Sequence, residues 1–184
     1  MTFTYPVTEF RSVATPAFLR QPRDNTAAAD ETEGMDSDSE RVDCASRKAA
    51  YLAYAEQFKK RLYLCRRAGI QAALAVGKTE REAAQLLSEA RRLWSEPVEA
   101  LELAEVLVRA QGPDAVADSV DKASAKLTDY RAVVNEAIVA DVTSREARVR
   151  AARTAYGPVY RTYLEFLHAA SDSAGDDEVL RLGF

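Results

Sequence analysis

The sequence predicts an all-α protein: a bundle of about five amphipathic helices with long, coiled-coil-like members, preceded by an extended N-terminal arm and an acidic linker. Three observations lead to this prediction. Glycine and proline are scarce, at 7 and 6 of 184 residues, which disfavours a turn-rich β fold. Apolar residues make up 47% of the chain, enough to build a buried core. They recur at spacings of three and four over long stretches, as on one face of an α-helix.

Residues 1–23 are predicted to form the extended arm. Apolar residues and threonines alternate at its start, a period-2 pattern typical of extended chain, and three prolines interrupt any helix there. An arm with this many large apolar groups needs a surface, either on its own helical body or on a partner protein, and the sequence leaves both alternatives open. The candidate interface residues of the arm are Phe3, Tyr5, Phe10 and Phe18.

Residues 24–43 are predicted to be an acidic, disordered linker. Negative charges accumulate between Asp24 and Glu40 without an intervening Lys or Arg, and a chain of this composition buries too little apolar surface to fold alone. Ser37 lies three residues before Glu40, a spacing that suits an acidophilic kinase. An unmodified Ser37 is the favoured alternative, because the match is short.

Residues 44–170 are predicted to form the helical bundle. The first helix, over 44–76, carries apolar residues spaced alternately by four and three, which is the heptad pattern of coiled coils. Gly77 is expected to end this helix, and Thr79 with Glu82 predicts a capping box that starts the second helix. The heptad positions of the first helix are Tyr51, Ala55, Phe58, Leu62, Cys65, Gly69, Ala72 and Val76.

Three further helices complete the predicted bundle. Ser95 is expected to be the N-cap of a third helix over 96–111, and a fourth helix is expected over 113–141. The fifth helix is expected over 145–170. We expect a kink or a split at Gly157-Pro158 in this helix, because proline removes one helical hydrogen bond and clashes with the preceding turn.

Residues 171–184 are predicted to form a C-terminal tail that is acidic at first and then apolar. Val179, Leu180 and Leu182 precede a final phenylalanine in the apolar part. As with the arm, apolar groups in a short tail need a surface to cover them, and we expect the tail to take part in binding partners. Phe184 is its candidate interface residue.

The first predicted helix is strongly basic over 47–78, with eight Lys or Arg residues and Glu56 as the single acid. Four of the cations recur every seven residues, which predicts an exposed stripe on one face. A basic amphipathic helix can bind an anionic membrane, nucleic acid or an acidic partner. Nucleic acid is disfavoured because the aromatic residues fall on the buried face. Glutamates of the third helix, or the acidic linker, are alternative partners within the chain. The stripe residues are Lys59, Lys60, Arg66 and Arg67, and Arg145 with Arg148 begins a second basic patch.

The sequence predicts no enzyme, no cofactor and no metal site. His168 is the single histidine of the chain, so a Ser-His-Asp or Cys-His arrangement would depend on it alone. Gly77-Lys78-Thr79 matches the end of a phosphate-binding loop, but Ala72 stands where the motif requires glycine and the segment follows a helix rather than a strand.

Two cysteines, Cys44 and Cys65, lie 21 residues apart without a CxxC pair, which is typical of a reducing compartment. No apolar stretch reaches the length of a transmembrane helix. We therefore expect an intracellular protein, cytoplasmic or mitochondrial, and not a secreted one. The mitochondrial alternative is based on the arginines and hydroxyl residues of the arm, a composition typical of organellar transit segments.

The function that these patterns favour is non-catalytic. We expect a structural or accessory subunit of a larger macromolecular assembly, with mitochondrial and cytoskeletal placements both open, that binds other protein subunits through its arm, its tail and its helix faces. The alternative is a peripheral module that binds an anionic membrane or nucleic acid through the basic helix at 47–78.

Overall fold

The computed structural model describes residues 32–175 and 178–183, with side chains described for residues 43–175 and 178–182. Over this part of the chain the protein is all-α, which confirms the all-α class of the predicted fold. The helices are α1 Thr32–Leu74, α2 Glu80–Trp94, α3 Glu99–Gln111, α4 Asp114–Val139 and α5 Arg145–Ala174, followed by a short 3-10 helix at Leu180–Gly183.

The long helix α1 lies at the centre of the bundle and packs against each of the other four α-helices. Helices α1 and α4 run parallel. The hydroxyl oxygens of Tyr54 and Ser124 are 3.0 Å apart near one end of the bundle, and Gly69 faces Val134 near the other. Helix α5 runs antiparallel to both, and forms its largest interface with α4.

The core follows the heptad pattern that the sequence predicts for α1. Of the eight predicted positions, Gly69 is half-buried and Val76 is exposed because it follows the last helical residue, Leu74. An aromatic cluster fills the centre, where the ring centroids of Phe58 and Tyr163 are 5.0 Å apart in a stacked pair. The buried heptad residues are Tyr51, Ala55, Phe58, Leu62, Cys65 and Ala72.

The first helix begins earlier than the sequence indicates. Helix α1 starts at Thr32 rather than near Cys44, so residues 32–43, which we expected to be part of a disordered linker, are helical. The sequence around Thr32 is acidic, and negative charge near a helix N-terminus interacts favourably with the positive end of the helix dipole. The predictions for residues 1–23 and for the first part of the linker concern residues outside the described chain.

The capping box at α2 is present as predicted. The Glu82 amide donates to Thr79 Oγ1 at 3.4 Å, and the Thr79 amide donates to Glu82 Oε2 at 3.2 Å. The prediction for Ser95 was wrong, because α3 begins at Glu99 and Ser95 instead ends α2 through its amide bond to the Arg91 carbonyl. Pro97 explains the difference, since proline disfavours helical geometry at the residue before it.

Helix α5 is not split at Gly157-Pro158, as its helical geometry continues from Arg145 to Ala174. Both residues are exposed, as is Thr154, whose carbonyl would have accepted the missing proline N–H bond. Water can therefore solvate this carbonyl, and the helix passes through the proline without a break.

Candidate interaction surfaces

The four predicted stripe residues of α1, Lys59, Lys60, Arg66 and Arg67, are all exposed. Lys59 is engaged within the chain, since its Nζ donates to the Leu182 carbonyl at 2.7 Å. The Arg66 guanidinium lies over the Tyr156 ring, 4.8 Å from its centroid, and Arg67 lies over its α1 neighbour Tyr63 at 5.8 Å. The two arginines are thus held by aromatic rings while their charge remains at the surface.

Glutamates of the third helix do not neutralise these arginines. Among the described residues, no ion pair joins Lys60, Arg66 or Arg67 to a carboxylate. Glu105, one of the expected partners, instead accepts from Ser124 Oγ at 2.6 Å and interacts with Arg109. Within the described side chains, the charges of Lys60, Arg66 and Arg67 are therefore not offset by an ion pair.

Arg61 belongs to the same basic segment but is buried and structural. Its guanidinium donates to the carbonyls of Trp94 and Glu96, at 2.8 and 2.6 Å, just where α2 ends. Carbonyls at a helix C-terminus lack intrahelical partners, so this cation both satisfies them and interacts with the negative end of the dipole. Burial lowers the pKa of Arg61. Arg61 therefore holds the α2–α3 junction in place. Because its charge is buried, the surface of the basic segment at 47–78 carries less positive charge than the sequence alone indicates.

The two arginines of the second basic patch have different roles. Arg145 is buried rather than exposed, and its guanidinium donates to the Ala140 carbonyl at 2.6 Å, which fastens the turn between α4 and α5. Arg148 is exposed and pairs with Glu136 across the same two helices at 2.8 Å. Arg145 is therefore unavailable to a partner protein while the turn is intact, and Arg148 remains on the surface.

The C-terminal tail packs against its own bundle over residues 178–182, which differs from the partner binding that we expected. Val179 is fully buried in the core. The Leu182 carbonyl accepts from Lys59 and, at 3.4 Å, from the Tyr163 hydroxyl, while Glu178 forms an ion pair with Lys48. The apolar side chains of the tail thus find their surface within the chain. Phe184, like the arm residues Phe3, Tyr5, Phe10 and Phe18, lies outside the described residues.

Helix α3 carries a second apolar face that the sequence reading missed. Its buried face packs against α1 and α4. On the opposite side Leu103, Val106 and Leu107 are exposed to 63%, 57% and 38%. With Ala110 they follow the i, i+3, i+4, i+7 spacing of a helix that packs against another helix. This set, Leu103, Val106, Leu107 and Ala110, is called the α3 stripe below.

Acidic residues stand at one end of the α3 stripe. Glu99 precedes Leu103 by four residues, so it lies in line with the stripe one turn earlier, and Glu102 borders it; both are exposed. A signal for this face was present in the sequence, because the apolar residues of α3 cover more than half of the helix circumference. One packing interface needs only a part of that circumference.

A groove of about 350 Å³ lies on the other side of the molecule's central helix, between α1 and α5, with Tyr130 of α4 also lining it. Most of its lining is apolar, and small residues such as Gly69 keep it open. Arg66 and Arg153 supply the charge. The remaining lining residues are Ile70, Ala73, Leu74, Val149, Ala152 and Tyr156. This set, with Gly69, Tyr130 and the two arginines, is called the α1–α5 groove below.

The α1–α5 groove is polarised along its length. Arg66 lies beside Tyr156 at one end, and Arg153 lies one turn before Tyr156 on α5, midway between Tyr156 and Val149. Because α1 and α5 are antiparallel, Leu74 and Val149 mark the other, apolar end. No carboxylate occurs among the described lining residues. The groove therefore suits an apolar segment with negative charge at one end.

Burial suppresses the reactivity of the titratable groups in the core. It raises the pKa of the Cys65 thiol, which keeps the sulfur protonated and a poor nucleophile. It also raises the pKa of the phenols of Tyr54, Tyr130 and Tyr163. Within the described residues, no group of three or more His, Cys, Asp or Glu side chains could hold a metal ion.

None of the helices in the described part of the chain has an apolar stretch long enough to cross a bilayer. Comparison with known proteins finds no match: no protein-family model, no curated protein and no solved structure is significantly similar to this chain. Inferences about function therefore depend on the chain's own surfaces.

Proposed function

We propose that this protein is a non-catalytic structural or accessory subunit of a larger macromolecular assembly. The observation that carries the proposal is the α3 stripe, a helix face with the spacing of a packing interface that nothing in the described chain covers. The helix is already held on its other face, by Leu101, Ala104 and Val108. The stripe is thus additional to what the bundle needs.

The energetic consequence is direct. Burying an exposed Leu or Val side chain stabilises a complex by roughly 1.5–3 kcal/mol. Leu103 and Val106 are more than half exposed, so covering them supplies a driving force of several kcal/mol before the cost of association. A partner protein with a complementary apolar surface is the occupant that this driving force favours.

The arm at 1–23 remains part of the proposal as a second contact with protein partners, as do the mitochondrial or cytoskeletal settings and an intracellular location. The support for the arm is the alternation of large apolar groups in its sequence. The tail is no longer part of the proposal over residues 178–182, because Val179 and Leu182 pack within the bundle.

The test compares the size of the native particle with that of the purified chain. A gentle extract of the source cells and the recombinant protein are sedimented side by side on gradients. We expect the native protein to migrate in a particle far larger than one chain, and the variant Leu103→Ser/Val106→Ser to leave that particle. Val142→Ser, which removes an exposed apolar residue outside α3, serves as the control and should stay with it. A native protein that sediments as a single small species would contradict the proposal.

A second candidate function is the binding of an anionic surface, membrane or nucleic acid, through α1. The observation in its favour is that Lys60, Arg66 and Arg67 are exposed without a described carboxylate partner. Charge reversal of Lys60 and Arg67 should then abolish binding to vesicles with anionic lipid or to nucleic acid, and binding by the unmodified chain should weaken steeply with salt. Lack of binding at low salt would exclude this function.

A further inference from the structure

We propose that the α3 stripe of one copy of this chain occupies the α1–α5 groove of a second copy, so that the protein assembles head to tail. This inference rests on the proposed assembly role and names one partner, a second copy of the chain. The stripe is apolar with acidic residues at one end. The groove is apolar with Arg66 at one end, Arg153 midway along its α5 side, and no carboxylate among its described lining residues.

The two surfaces are comparable in length. The α3 stripe runs from Leu103 to Ala110, seven helical steps or about 10.5 Å at the rise of an α-helix. The α1 side of the groove runs from Arg66 to Leu74, eight steps or about 12 Å. With Glu99 next to Arg66 and α3 parallel to α1, Leu103 and Leu107 come next to Ile70 and Leu74, so the stripe covers the apolar part of the α1 side and Ala110 lies beyond it.

The charges agree in position as well. Glu99 precedes the first stripe residue, Leu103, by four residues, and Arg66 precedes Ile70 of the groove by the same number. If the incoming α3 lies parallel to α1, Glu99 comes next to the basic end while Leu103 comes next to the apolar lining. The opposite orientation would place the two glutamates over apolar side chains. Charge therefore selects one direction of binding.

The contact cannot be made within one chain. Helix α3 packs against α1 and α4 through its other face, and no residue of α3 belongs to the groove lining. Each copy thus offers one stripe and one groove. Two unlike surfaces of this kind form a heterologous interface, which leaves a stripe and a groove unfilled at the ends and admits further copies, as a ring or a filament.

The strength of the contact is limited by its size. Four stripe residues and a short groove bury less than the standard interface of about 1,600 Å². We therefore expect association that rises with concentration, and that weakens as salt screens the exposed charges.

The experiment uses three forms of the full-length recombinant chain in sedimentation velocity at increasing concentration. The unmodified chain should form a series of oligomers. A stripe variant, Leu103→Ser/Val106→Ser, and a groove variant, Arg66→Glu/Arg153→Glu, should each remain monomeric, with dissociation constants raised at least about tenfold. Mixed in equal amounts, the two variants should form a dimer and nothing larger, because only one intact stripe and one intact groove remain to pair.

Matched controls distinguish loss of the stripe–groove contact from general effects of charge or folding. The variant Arg67→Glu/Arg150→Glu reverses two exposed arginines on the same helices that do not line the groove, and it should assemble like the unmodified chain. Circular dichroism should show equal helix content in all forms. A chain that combines Glu99→Lys/Glu102→Lys with Arg66→Glu/Arg153→Glu exchanges the charges of the two surfaces and should recover assembly, which a folding defect could not do.

The outcomes distinguish the proposed subunit role from the proposed self-association. A recombinant chain that stays monomeric throughout, while the native protein sediments in a large particle, overturns the self-association and leaves the subunit role intact with a foreign partner. If both species are small, both proposals fail. Oligomers that persist in the stripe and groove variants overturn the assignment of these two surfaces.

Discussion

Some arginines of the basic segments are buried and stabilise the fold, although the sequence does not distinguish them from exposed arginines. Arg61 and Arg145 stand among exposed arginines in the sequence, yet both are buried at the end of a helix, where Arg61 donates to two backbone carbonyls and Arg145 to one. Residue type alone could not separate them from Arg66 or Arg148. The difference depends on which carbonyls the fold brings within reach, and this is set by helix packing rather than by local sequence.

The role of Arg61 leads to the first prediction at this scale. Arg61→Ala should destabilise the fold by about 2–4 kcal/mol, because it leaves the Trp94 and Glu96 carbonyls without their charged donor and opens space in a packed region. The free energy of unfolding, measured by urea denaturation, provides the test.

Two further variants test whether the loss of stability at Arg61→Ala comes from the lost hydrogen bonds. Arg61→Lys should recover only part of the loss, since a single ammonium cannot reproduce the planar fork that reaches both carbonyls. Lys60→Ala, at an exposed neighbouring position, should change the free energy of unfolding by less than about 0.5 kcal/mol. Equal stabilities for Arg61→Ala and Lys60→Ala would contradict the structural role.

At the scale of the helices, local sequence signals predicted that a helix is present better than they predicted the residues at which it begins and ends. The capping box of Thr79 and Glu82 is a contact between residues three apart, so it was readable in advance. The early start of α1 at Thr32 was not, because the acidic composition of that segment is shared by disordered chains and helix N-termini. The end of α2 at Ser95 was not predicted, because a serine two residues before a proline is compatible with both the start and the end of a helix.

Glycines in and beside helices allow a paired prediction. At Gly157 an added Cβ meets no atom within 4 Å outside the neighbouring residues, and alanine has the better helix propensity by about 0.5–1 kcal/mol. Pro158 opposes this gain, because proline disfavours helical geometry at a preceding residue with a Cβ, so Gly157→Ala should change the stability only slightly. At Gly112 the same atom would lie 2.9 Å from the Val108 carbonyl oxygen and 3.2 Å from the Tyr51 hydroxyl.

Gly112→Ala should therefore destabilise the protein, because the α3–α4 junction must shift to relieve these contacts. Thermal unfolding of the two variants, followed by circular dichroism, should show a lower midpoint for Gly112→Ala than for Gly157→Ala. Equal midpoints for the two variants would contradict the close contacts at Gly112.

Over the whole molecule, the all-α class and the buried face of α1 could be predicted because heptad periodicity survives in the sequence wherever a long helix faces a core. The interaction surfaces could not. The α3 stripe appears only once packing shows that Leu101, Ala104 and Val108 satisfy the core and leave Leu103 and Val106 outside. The α1–α5 groove joins residues about 80 positions apart, and no local pattern connects them.

The core as a whole should make the protein sensitive to alkaline pH. Burial raises the pKa of the phenols of Tyr54, Tyr130 and Tyr163 in the folded state. In the unfolded chain a tyrosine loses its proton near pH 10. Above that pH the unfolded state binds fewer protons than the folded one, so stability falls as pH rises; below it the contribution of these tyrosines is fully present.

Urea unfolding midpoints measured between about pH 8 and pH 11.5 should therefore decline most steeply above pH 10. The variant Tyr130→Phe should show a shallower decline than the unmodified chain. Tyr63→Phe, which removes an exposed phenol, should leave the slope unchanged and serves as the control. Identical slopes for Tyr130→Phe and Tyr63→Phe would contradict the raised pKa of Tyr130.

Because the α3 stripe and the α1–α5 groove are different surfaces, a damaged copy should interfere with the assembly of normal copies. Under the proposed head-to-tail contact, a copy with a damaged stripe still joins a growing chain through its intact groove and then offers nothing to the next copy. A small share of such copies would therefore shorten assemblies made mostly of normal protein. Leu103→Ser should act in this way when it is co-expressed with the normal chain, while Arg61→Ala, which lowers the stability of a single copy, should not.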